Sequence, residues 1–283
     1  MKFFVSHKDN PTRASVVGNS FRKGVMITGN TLTGDSMLAD MAILYGMSAS
    51  HVEIYKKRKA IGKPSAFFDL GYWNRSTLLN QQTCYRLAVN YWHPQHYISL
   101  IDEPQKFNRP IFPRYKEGKK ILVVGMGLKS YALYGHVPHH WDMALIHEVK
   151  QKTTREIVYY PKASDRTAHS IPGTTFYTPG KMLEDDSIWR DVWAVVTHHS
   201  NNAVEALRMG IPAFTWDGAA SVLCGNDLSL LENPPFPEGV PQFLNRMAYC
   251  QWSVAEMSNG ECIKWLTKML PKIPMNVEIR ENV

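Results

Sequence analysis

The segment from Val192 to Thr215 combines apolar strand patterns with polar side chains that could bind an anion. It predicts a buried strand ending at Thr197, a polar loop over His198–Asn201, a short helix and a second buried strand. Open α/β sheets bind ligands at the carboxyl ends of their strands, and free N–H groups there favour a phosphate. Glu205, one helical turn in, could accept hydrogen bonds from sugar hydroxyls. The alternative is an ordinary strand–helix–strand unit with a solvated Glu.

A glycine-rich turn offers a second set of phosphate-binding groups. The apolar run Lys120–Val124 predicts a strand, and the sequence Gly-Met-Gly-Leu-Lys-Ser follows it. Gly125 and Gly127 would let the backbone approach a phosphate, while Lys129 and Ser130 would add a charge and a hydroxyl. A tight turn with a solvated Lys explains the same residues equally well.

Short apolar runs alternate with helical patterns in two series, and the proline-containing segment Asp102–Gly118 separates them. The first series predicts strands at Met1–His7, Lys23–Gly29, His51–Tyr55, Ser65–Asp69 and Tyr85–Trp92, and a helix at Met37–Tyr45. The second adds strands at Glu156–Tyr160 and Thr174–Tyr177, and helices at Trp141–Lys152, Met182–Trp189, Phe243–Met257 and Gly260–Leu270. We therefore expect an α/β protein of two Rossmann-like domains with a cleft between them, residues 1–117 and 118–283.

The positive charge of the chain is concentrated in its first part. The 283 residues carry a net charge of +7, yet residues 1–117 contain 16 Lys and Arg against eight Asp and Glu. The densest cluster is Lys56, Lys57, Arg58 and Lys59. A basic half beside a neutral half indicates contact with a polyanion such as nucleic acid, although a solvated helix face is the alternative.

The cysteines and the apolar runs limit where the protein works. Four scattered cysteines without paired spacing favour a reducing compartment over a disulfide framework or a zinc site. The first residues are too polar for a signal peptide, and no run approaches the roughly 18 apolar residues of a membrane span. The histidines lack acidic partners at ligand spacing, so we expect no metal site and a cytoplasmic protein.

The Val192–Thr215 segment resembles the nucleotide-sugar-binding half of GT-B glycosyltransferases. More narrowly, it resembles the capsule-polysaccharide and phage glycosyltransferase-like group, in which a Ser-rich loop precedes a Glu-Ala-Leu helix, a Gly and a Pro. The blocks Phe68–Arg75, Leu87–Pro94 and Leu244–Glu261 resemble the same group. The resemblance implies the GT-B fold, with the second domain as the donor domain. It also implies closing helices, of which Gly260–Leu270 would return to the first domain.

In that family the Ser loop faces the donor phosphates and the Glu lies near the donor ribose. The resemblance therefore implies that His199, Ser200, Asn201 and Glu205 bind the donor, a nucleotide-sugar for which a UDP-sugar is the first expectation. Enzymes of this fold generally use protein groups rather than an essential metal, and no tightly bound cofactor is implied.

One departure concerns a His-Pro pair that capsule-type enzymes carry after the second strand of the donor domain. This chain reads Tyr159-Tyr160-Pro161-Lys162 at that place. Lys162 could replace the missing cation, but the identity of the donor nucleotide is left open.

In GT-B enzymes the catalytic base often follows an early strand of the first domain. Asp35 is the first candidate, although it could equally cap the helix expected at Met37–Tyr45. It occupies the Lys position of a Walker A spacing, Gly29–Ser36, where a carboxylate would repel phosphate, so an NTPase loop is excluded. Asp69 is the second candidate, with a turn residue as its alternative.

The sequence thus predicts a glycosyltransferase that moves a sugar onto an acceptor hydroxyl. The basic first half and the phage-like resemblance favour hydroxymethylated pyrimidines in double-stranded DNA, with Tyr72, Trp73 and Arg75 lining the acceptor site beside the basic cluster. A phage-encoded enzyme of this kind would act in the host cytoplasm. A surface-polysaccharide transferase, a nucleotide-sugar epimerase and a non-catalytic DNA-binding protein are the alternatives.

Overall fold

The computed structural model describes residues 1–6, 12–76, 80–162, 165–177 and 186–275. These residues form two compact units. Unit 1 comprises Met1–Lys106 and the C-terminal segment that begins at Asn245, and unit 2 is Phe107–Leu244. The sequence instead predicts a boundary after residue 117, with residues 107–117 in the first domain and the closing helices in the second. That boundary stays a prediction.

The strands are β1 (Lys2–Val5), β2 (Thr31–Leu32), β3 (Met41–Tyr45), β4 (Ser65–Leu70), β5 (Cys84–Val89), β6 (Lys120–Val124), β7 (Glu156–Tyr160), β8 (Thr175–Phe176), β9 (Val192–Thr197), β10 (Ala213–Thr215) and β11 (Gln251–Ser253). The α-helices are α1 (Arg13–Ile27), α2 (Ala49–Ala60), α3 (Leu128–Tyr134), α4 (His140–Lys152), α5 (Asn202–Arg208), α6 (Val240–Ala248), α7 (Val254–Ser258) and α8 (Glu261–Met269). No helix in the described part of the chain has both the length and the apolar character needed to cross a membrane.

Unit 1 is built on a six-stranded sheet with the order β11-β5-β4-β3-β1-β2. Strands β2, β1, β3 and β4 are parallel neighbours, whereas β5 runs antiparallel to β4 and β11 antiparallel to β5. The amino ends of the four parallel strands therefore share one edge of the sheet, and their carboxyl ends share the other.

Unit 2 contains a five-stranded sheet, β10-β9-β6-β7-β8, in which every pair is parallel. Its strands are nearly continuous apolar runs because a parallel sheet is covered on both faces. Ile121, Val123 and Val196 are fully buried in a core that Val149 of α4 also joins. The loops that follow β6 and β9 leave the sheet side by side, because these strands are neighbours.

The closing helices belong to unit 1. Helix α7 packs on α1 so closely that a Cβ placed on Gly24 would lie 2.1 Å from the carbonyl oxygen of Met257. Helix α8 also contacts α1. The expectation that Gly260–Leu270 returns to the first part of the chain is confirmed.

Four predicted elements are wrong, and nearly all of their residues lie in unit 1. Lys23–Gly29 lies in and just after α1, Met37–Tyr45 holds a loop and β3, and His51–Tyr55 lies in α2. The predicted helix Phe243–Met257 is interrupted by β11. Short apolar runs do not distinguish a buried strand from a buried helix, because periodicity needs a longer segment.

The signals that settle two of these elements are helix caps. Thr12 and Ser15 form a reciprocal capping box at the start of α1, and the Ser48 hydroxyl accepts a hydrogen bond from the His51 N–H at the start of α2. The predicted helix Met182–Trp189 lies partly outside the described residues, and its last four residues, Asp186–Trp189, form a 3₁₀ turn.

Candidate functional site

The loops after β6 and β9 meet at the carboxyl edge of the unit 2 sheet. Ser130, in the first turn of α3, and His199, directly after β9, share a hydrogen bond of 3.0 Å between Oγ and Nε2. Their positions in the sequence are separated by 69 residues. The parallel pairing of β6 with β9 therefore brings together the two loops for which the sequence separately predicts phosphate binding.

His199 is also linked to the histidine before it. The Nδ1 atoms of His198 and His199 lie 3.0 Å apart, so one of them must carry a proton toward the other. His198 is 2% exposed, and burial, together with His136, lowers its pKa to about 4. His198 is therefore neutral near pH 7, and a hydrogen-bond chain runs from Ser130 through His199 to a buried neutral imidazole.

Aromatic rings surround this chain. Tyr134 and Trp141 have ring centroids 4.4 and 5.1 Å from that of His198. The Tyr134 hydroxyl donates to Asp217 Oδ2 over 2.5 Å, which ties α3 to the loop after β10. Rings on α3 and α4 thus pack against the imidazoles, and a carboxylate in the loop after β10 holds the Tyr134 ring in place.

The turn after β6 rests on a buried carboxylate. Asp142 of α4 is fully buried, and it accepts hydrogen bonds from the Met126 N–H at 3.2 Å and the Tyr159 hydroxyl at 2.6 Å. Burial raises the pKa of Asp142 although these donors oppose the shift. A Cβ on Gly125 would lie 2.4 Å from Asp142 Oδ2, so packing beneath the turn already requires this glycine.

Lysines lie beside the same turn. Lys162 is exposed and follows β7, and its Cγ atom lies 3.1 Å from the position that a Cβ on Gly127 would occupy. Lys129 is exposed on α3. The structure therefore brings Lys162 to the glycine-rich turn, next to the strand end where the sequence lacks the His-Pro pair.

The loop before α5 uses some of its own hydrogen-bonding groups. The Ser200 hydroxyl accepts from the Asn202 N–H at 3.2 Å, and the Asn201 carbonyl accepts from the Val204 N–H at 3.1 Å. Part of the anion-binding capacity that the sequence assigns to this loop is thus occupied by the loop itself. The donor-binding roles of Ser200 and Asn201 stay predictions.

Glu205 is buried beside two arginines, of which Arg208 is buried and Arg109 is partly exposed. It is 3% exposed, its Oε1 lies 2.6 Å from Arg208 Nη2, and its Oε2 lies 3.4 Å from Arg109 Nη1. Arg208 also donates to the Pro110 carbonyl at 3.0 Å. Glu205 therefore links α5 to the segment that enters unit 2, and its contact with a donor ribose stays a prediction.

The first candidate base, Asp35, lies in the loop that joins the carboxyl end of β2 to the amino end of β3. Asp35 accepts a hydrogen bond from the Met37 N–H at 2.7 Å, in a loop that leads to the amino end of β3. Arg58 holds this loop by donating to the Ser36 carbonyl and, at 2.7 Å, to the Pro64 carbonyl, which precedes β4. These hydrogen bonds tie the Asp35 loop to the segment before β4, and the role of Asp35 as a base stays a prediction.

Asp69 lies at the carboxyl end of β4. Its Oδ2 is 3.4 Å from Arg86 Nη2, and Arg86 Nη1 is 2.9 Å from Nδ1 of the buried His93. The Asp69 side chain is 42% exposed, so this carboxylate reaches solvent while Arg86 orients it. The role of Asp69 as a base stays a prediction.

Three residues assigned to the acceptor are buried, which corrects the sequence analysis. Arg58 is 0% exposed and serves the loops of the sheet edge, so it cannot contact DNA phosphates in this structure. Tyr72 and Trp73 are 2% and 8% exposed, and the backbone N–H group of each donates a hydrogen bond to Gln251 Oε1. Their rings therefore pack in unit 1 rather than present a stacking surface.

The remaining acceptor candidates are at least partly accessible. Lys56 and Lys57 are exposed on α2, Lys57 pairs with Glu53 at 2.8 Å, and Lys59 is half-buried with its Nζ 6.0 Å from the Tyr55 ring centroid. Arg75 is half-buried and donates to the Gly71 carbonyl at 2.5 Å.

Sequence reasoning missed Tyr134, Asp142 and Asp217, which shape the unit 2 edge. Each lies in a helix or loop remote in sequence from the residues that it contacts, and no local motif marks them. Among the described residues, no group of three or more His, Cys, Asp or Glu side chains is arranged to hold a metal ion.

Scans against protein-family models and curated proteins find no match. Among solved structures, the chain is similar to the Thermosulfurimonas dismutans KpsC beta Kdo 2,4 transferase, with a TM-score of 0.52, 10% identity, and coverage of 89% of this chain and 92% of that one. The beta Kdo 2,7 transferase of the same KpsC gives a TM-score of 0.42 at 11% identity, covering 93% and 99%. The fold is that of GT-B-like glycosyltransferases. Because the sequence identity is so low, the similarity concerns the fold alone.

Proposed function

We propose that this protein is a glycosyltransferase that binds a nucleotide-sugar at the carboxyl edge of the unit 2 sheet. The observation that carries the proposal is the hydrogen bond between Ser130 and His199, which unites the loops after two neighbouring parallel strands. Ligands of open α/β sheets bind at this edge, and a GT-B-like fold gives that edge a donor-binding role.

A transferase must stabilise the negative charge that develops on the leaving nucleotide. Ser130 would donate its hydroxyl to a donor phosphate while accepting from His199 Nε2. On the other side of the ring, His199 Nδ1 lies 3.0 Å from Nδ1 of the neutral His198, which completes the hydrogen-bond chain. Lys162 and Lys129 add positive charge beside the turn. Protein groups would thus supply the charge compensation.

The acceptor half of the reaction is proposed to use unit 1. Asp69 is the base that would remove a proton from an acceptor hydroxyl, because it is partly exposed and oriented by Arg86. The excess of positive charge in residues 1–117 supports an anionic acceptor. Hydroxymethylated DNA is the first such acceptor to test, and an acidic glycan is the second.

Nucleotide binding tests the donor site. Titration calorimetry with UDP, CMP, GDP and ADP, with and without magnesium, should detect binding of one of these nucleotides. We expect it to be UDP, because a UDP-sugar is the expected donor. Ser130→Ala and His199→Ala should each weaken its binding about tenfold, the worth of one charge-assisted hydrogen bond. Ser229→Ala and His147→Ala, at exposed positions of unit 2, are matched controls. Absence of any nucleotide binding, or equal effects of site and control variants, would reject the site.

A transfer assay separates the candidate activities. Radiolabelled donor is incubated with hydroxymethylated DNA, with an acidic glycan, or alone. We expect transfer to DNA that Asp69→Asn abolishes while nucleotide binding persists, and that Asp35→Asn leaves intact. Transfer only to the glycan would identify a polysaccharide transferase, and conversion of the donor sugar without an acceptor would identify an epimerase. Nucleotide or DNA binding without turnover in any arm would indicate a binding protein.

A further inference from the structure

Unit 1 exposes large aliphatic side chains at one edge of its sheet. Met26, Ile27, Leu38 and Ile61 have 61%, 57%, 63% and 54% of their surface exposed. Scattered apolar residues on a protein surface need no explanation, but a contiguous exposed patch marks an interaction site.

The topology places all four residues together. Met26 and Ile27 end α1 just before β2, Leu38 precedes β3, and Ile61 follows α2 just before β4. Strands β2, β1, β3 and β4 are consecutive parallel neighbours, so these loops all lie at the amino edge. At about 4.8 Å per strand spacing, they span roughly 15 Å of that edge.

Hydrogen bonds hold two of these loops in place. Lys63 Nζ donates to the Met37 carbonyl at 2.7 Å, which joins the segment after Ile61 to the residue before Leu38. Arg58 donates to the Asp40 carbonyl at 3.1 Å and the Pro64 carbonyl at 2.7 Å. Leu38 and Ile61 are therefore presented by an ordered support.

Lysines border the aliphatic residues. The exposed Lys56 and Lys57 lie near the end of α2, shortly before Ile61, and Lys57 also pairs with the exposed Glu53. The half-buried Lys59 follows them in the last turn. The carboxylates of Asp35 and Asp40 lie in the loop before β3, and Asp40 already accepts a hydrogen bond from the Lys2 N–H at 2.7 Å. The surrounding charge agrees with the excess of positive charge in residues 1–117, 16 Lys and Arg against eight Asp and Glu.

We propose that this amino edge of unit 1 docks onto an anionic membrane surface. Aliphatic side chains from separate loops enter the boundary between headgroups and acyl chains, while flanking lysine ammonium groups meet lipid phosphates. Nucleic acid matches the lysines but offers nothing to the exposed Leu and Ile side chains. The proposal is independent of the donor site, which lies on unit 2 residues.

Vesicle co-sedimentation tests the docking. The full-length protein should pellet with vesicles of equal parts phosphatidylglycerol and phosphatidylcholine, and much less with phosphatidylcholine alone. The double variant Leu38→Ser, Ile61→Ser should reduce the partition coefficient roughly tenfold or more, since two aliphatic side chains lose burial. The matched control is Leu230→Ser, Val222→Ser, two exposed apolar residues of unit 2 at 44% and 39% exposure. Unchanged thermal unfolding of both double variants establishes that they fold.

A second arm tests the lysines. Lys56→Gln and Lys57→Gln should each reduce binding to the anionic vesicles about fivefold, and raised salt should have the same effect. The proposal fails if the protein does not bind anionic vesicles. It also fails if the Leu38→Ser, Ile61→Ser variant binds them as well as the Leu230→Ser, Val222→Ser control does. It also fails if that variant instead abolishes self-association in size-exclusion chromatography or binding to duplex DNA.

Discussion

Two buried carboxylates in unit 2 are stabilised in different ways. Glu205 of α5 is 3% exposed and faces two arginines, so its charge is compensated. Asp142 of α4 is fully buried and faces a backbone N–H and a tyrosine hydroxyl, which are neutral donors. Asp142 holds the turn after β6 and Glu205 holds the segment that enters unit 2, but only Glu205 does so through an ion pair.

The difference predicts how each region responds to mutation and to pH. Removing one partner of a buried ion pair leaves an uncompensated charge, which is among the most costly changes in a protein interior. A carboxylate among neutral donors can instead take up a proton, and burial indeed raises the pKa of Asp142. Glu205 should therefore be the more sensitive to loss of its partner, and Asp142 the more responsive to pH.

The largest effect is expected from Arg208→Met. This change keeps the aliphatic volume but leaves Glu205 with the more distant Arg109, 3.4 Å away and 30% exposed. We expect a loss of about 3–5 kcal/mol in the free energy of unfolding, measured by urea denaturation. The double variant Arg208→Met, Glu205→Gln should recover a large part of this loss because no buried charge remains. If the double variant is no more stable than the single, Glu205 does not depend on charge pairing.

Acid should produce the next largest effect, through His198. Its pKa is about 4 in the folded protein because the ring is buried, whereas an unfolded histidine titrates near 6.5. The unfolded chain therefore takes up the proton first, and stability is lost as the pH falls from about 6.5 to about 4, by about 3 kcal/mol. His198→Asn should flatten the profile of unfolding free energy over this window. An unchanged profile would show that His198 is not buried in its neutral form.

The smallest of the three effects is expected at Asp142. Tyr159→Phe removes the hydroxyl that donates to Oδ2, and it should cost about 1–2 kcal/mol of unfolding free energy. Because the folded pKa of Asp142 is raised, its own contribution is present below the ordinary value near 3.8 and is lost as the pH rises through the folded pKa.

Asp142→Asn removes that titration, so its stability relative to wild type should improve as the pH rises from about 4 toward neutrality. A difference from wild type that does not vary with pH would contradict the raised pKa. Comparison with Arg208→Met in the same buffers shows directly which carboxylate depends on charge and which on neutral hydrogen bonds.

The sequence predicted the strands of unit 2 well, and the reason lies in its sheet. Glu156–Tyr160 was predicted with its exact bounds, and so was the strand that ends at Thr197. A parallel sheet covered on both faces needs unbroken apolar runs, and polar or glycine-rich loops delimit each run clearly. The glycine-rich turn and the His198–Asn201 loop were found for the same reason.

Unit 1 was harder to predict because its apolar runs serve both helices and strands. Lys23–Gly29 contributes to a helix that packs on α7 through Gly24, a contact with residues more than 200 positions away. The basic cluster was misread in a similar way, because Arg58 turns inward to hold two loops while Lys56 and Lys57 face solvent. A run of four charges carries no information on which member points inward.

The sequence by itself determined the α/β class, the two series of strands and the polar loops at their ends, because hydrophobic periodicity and Gly, Pro and cap residues act locally. Only the tertiary structure decided which loops meet. Ser130 meets His199, Asp142 supports the turn at Gly125, and Arg86 orients Asp69, since strand order and direction are set by long-range packing.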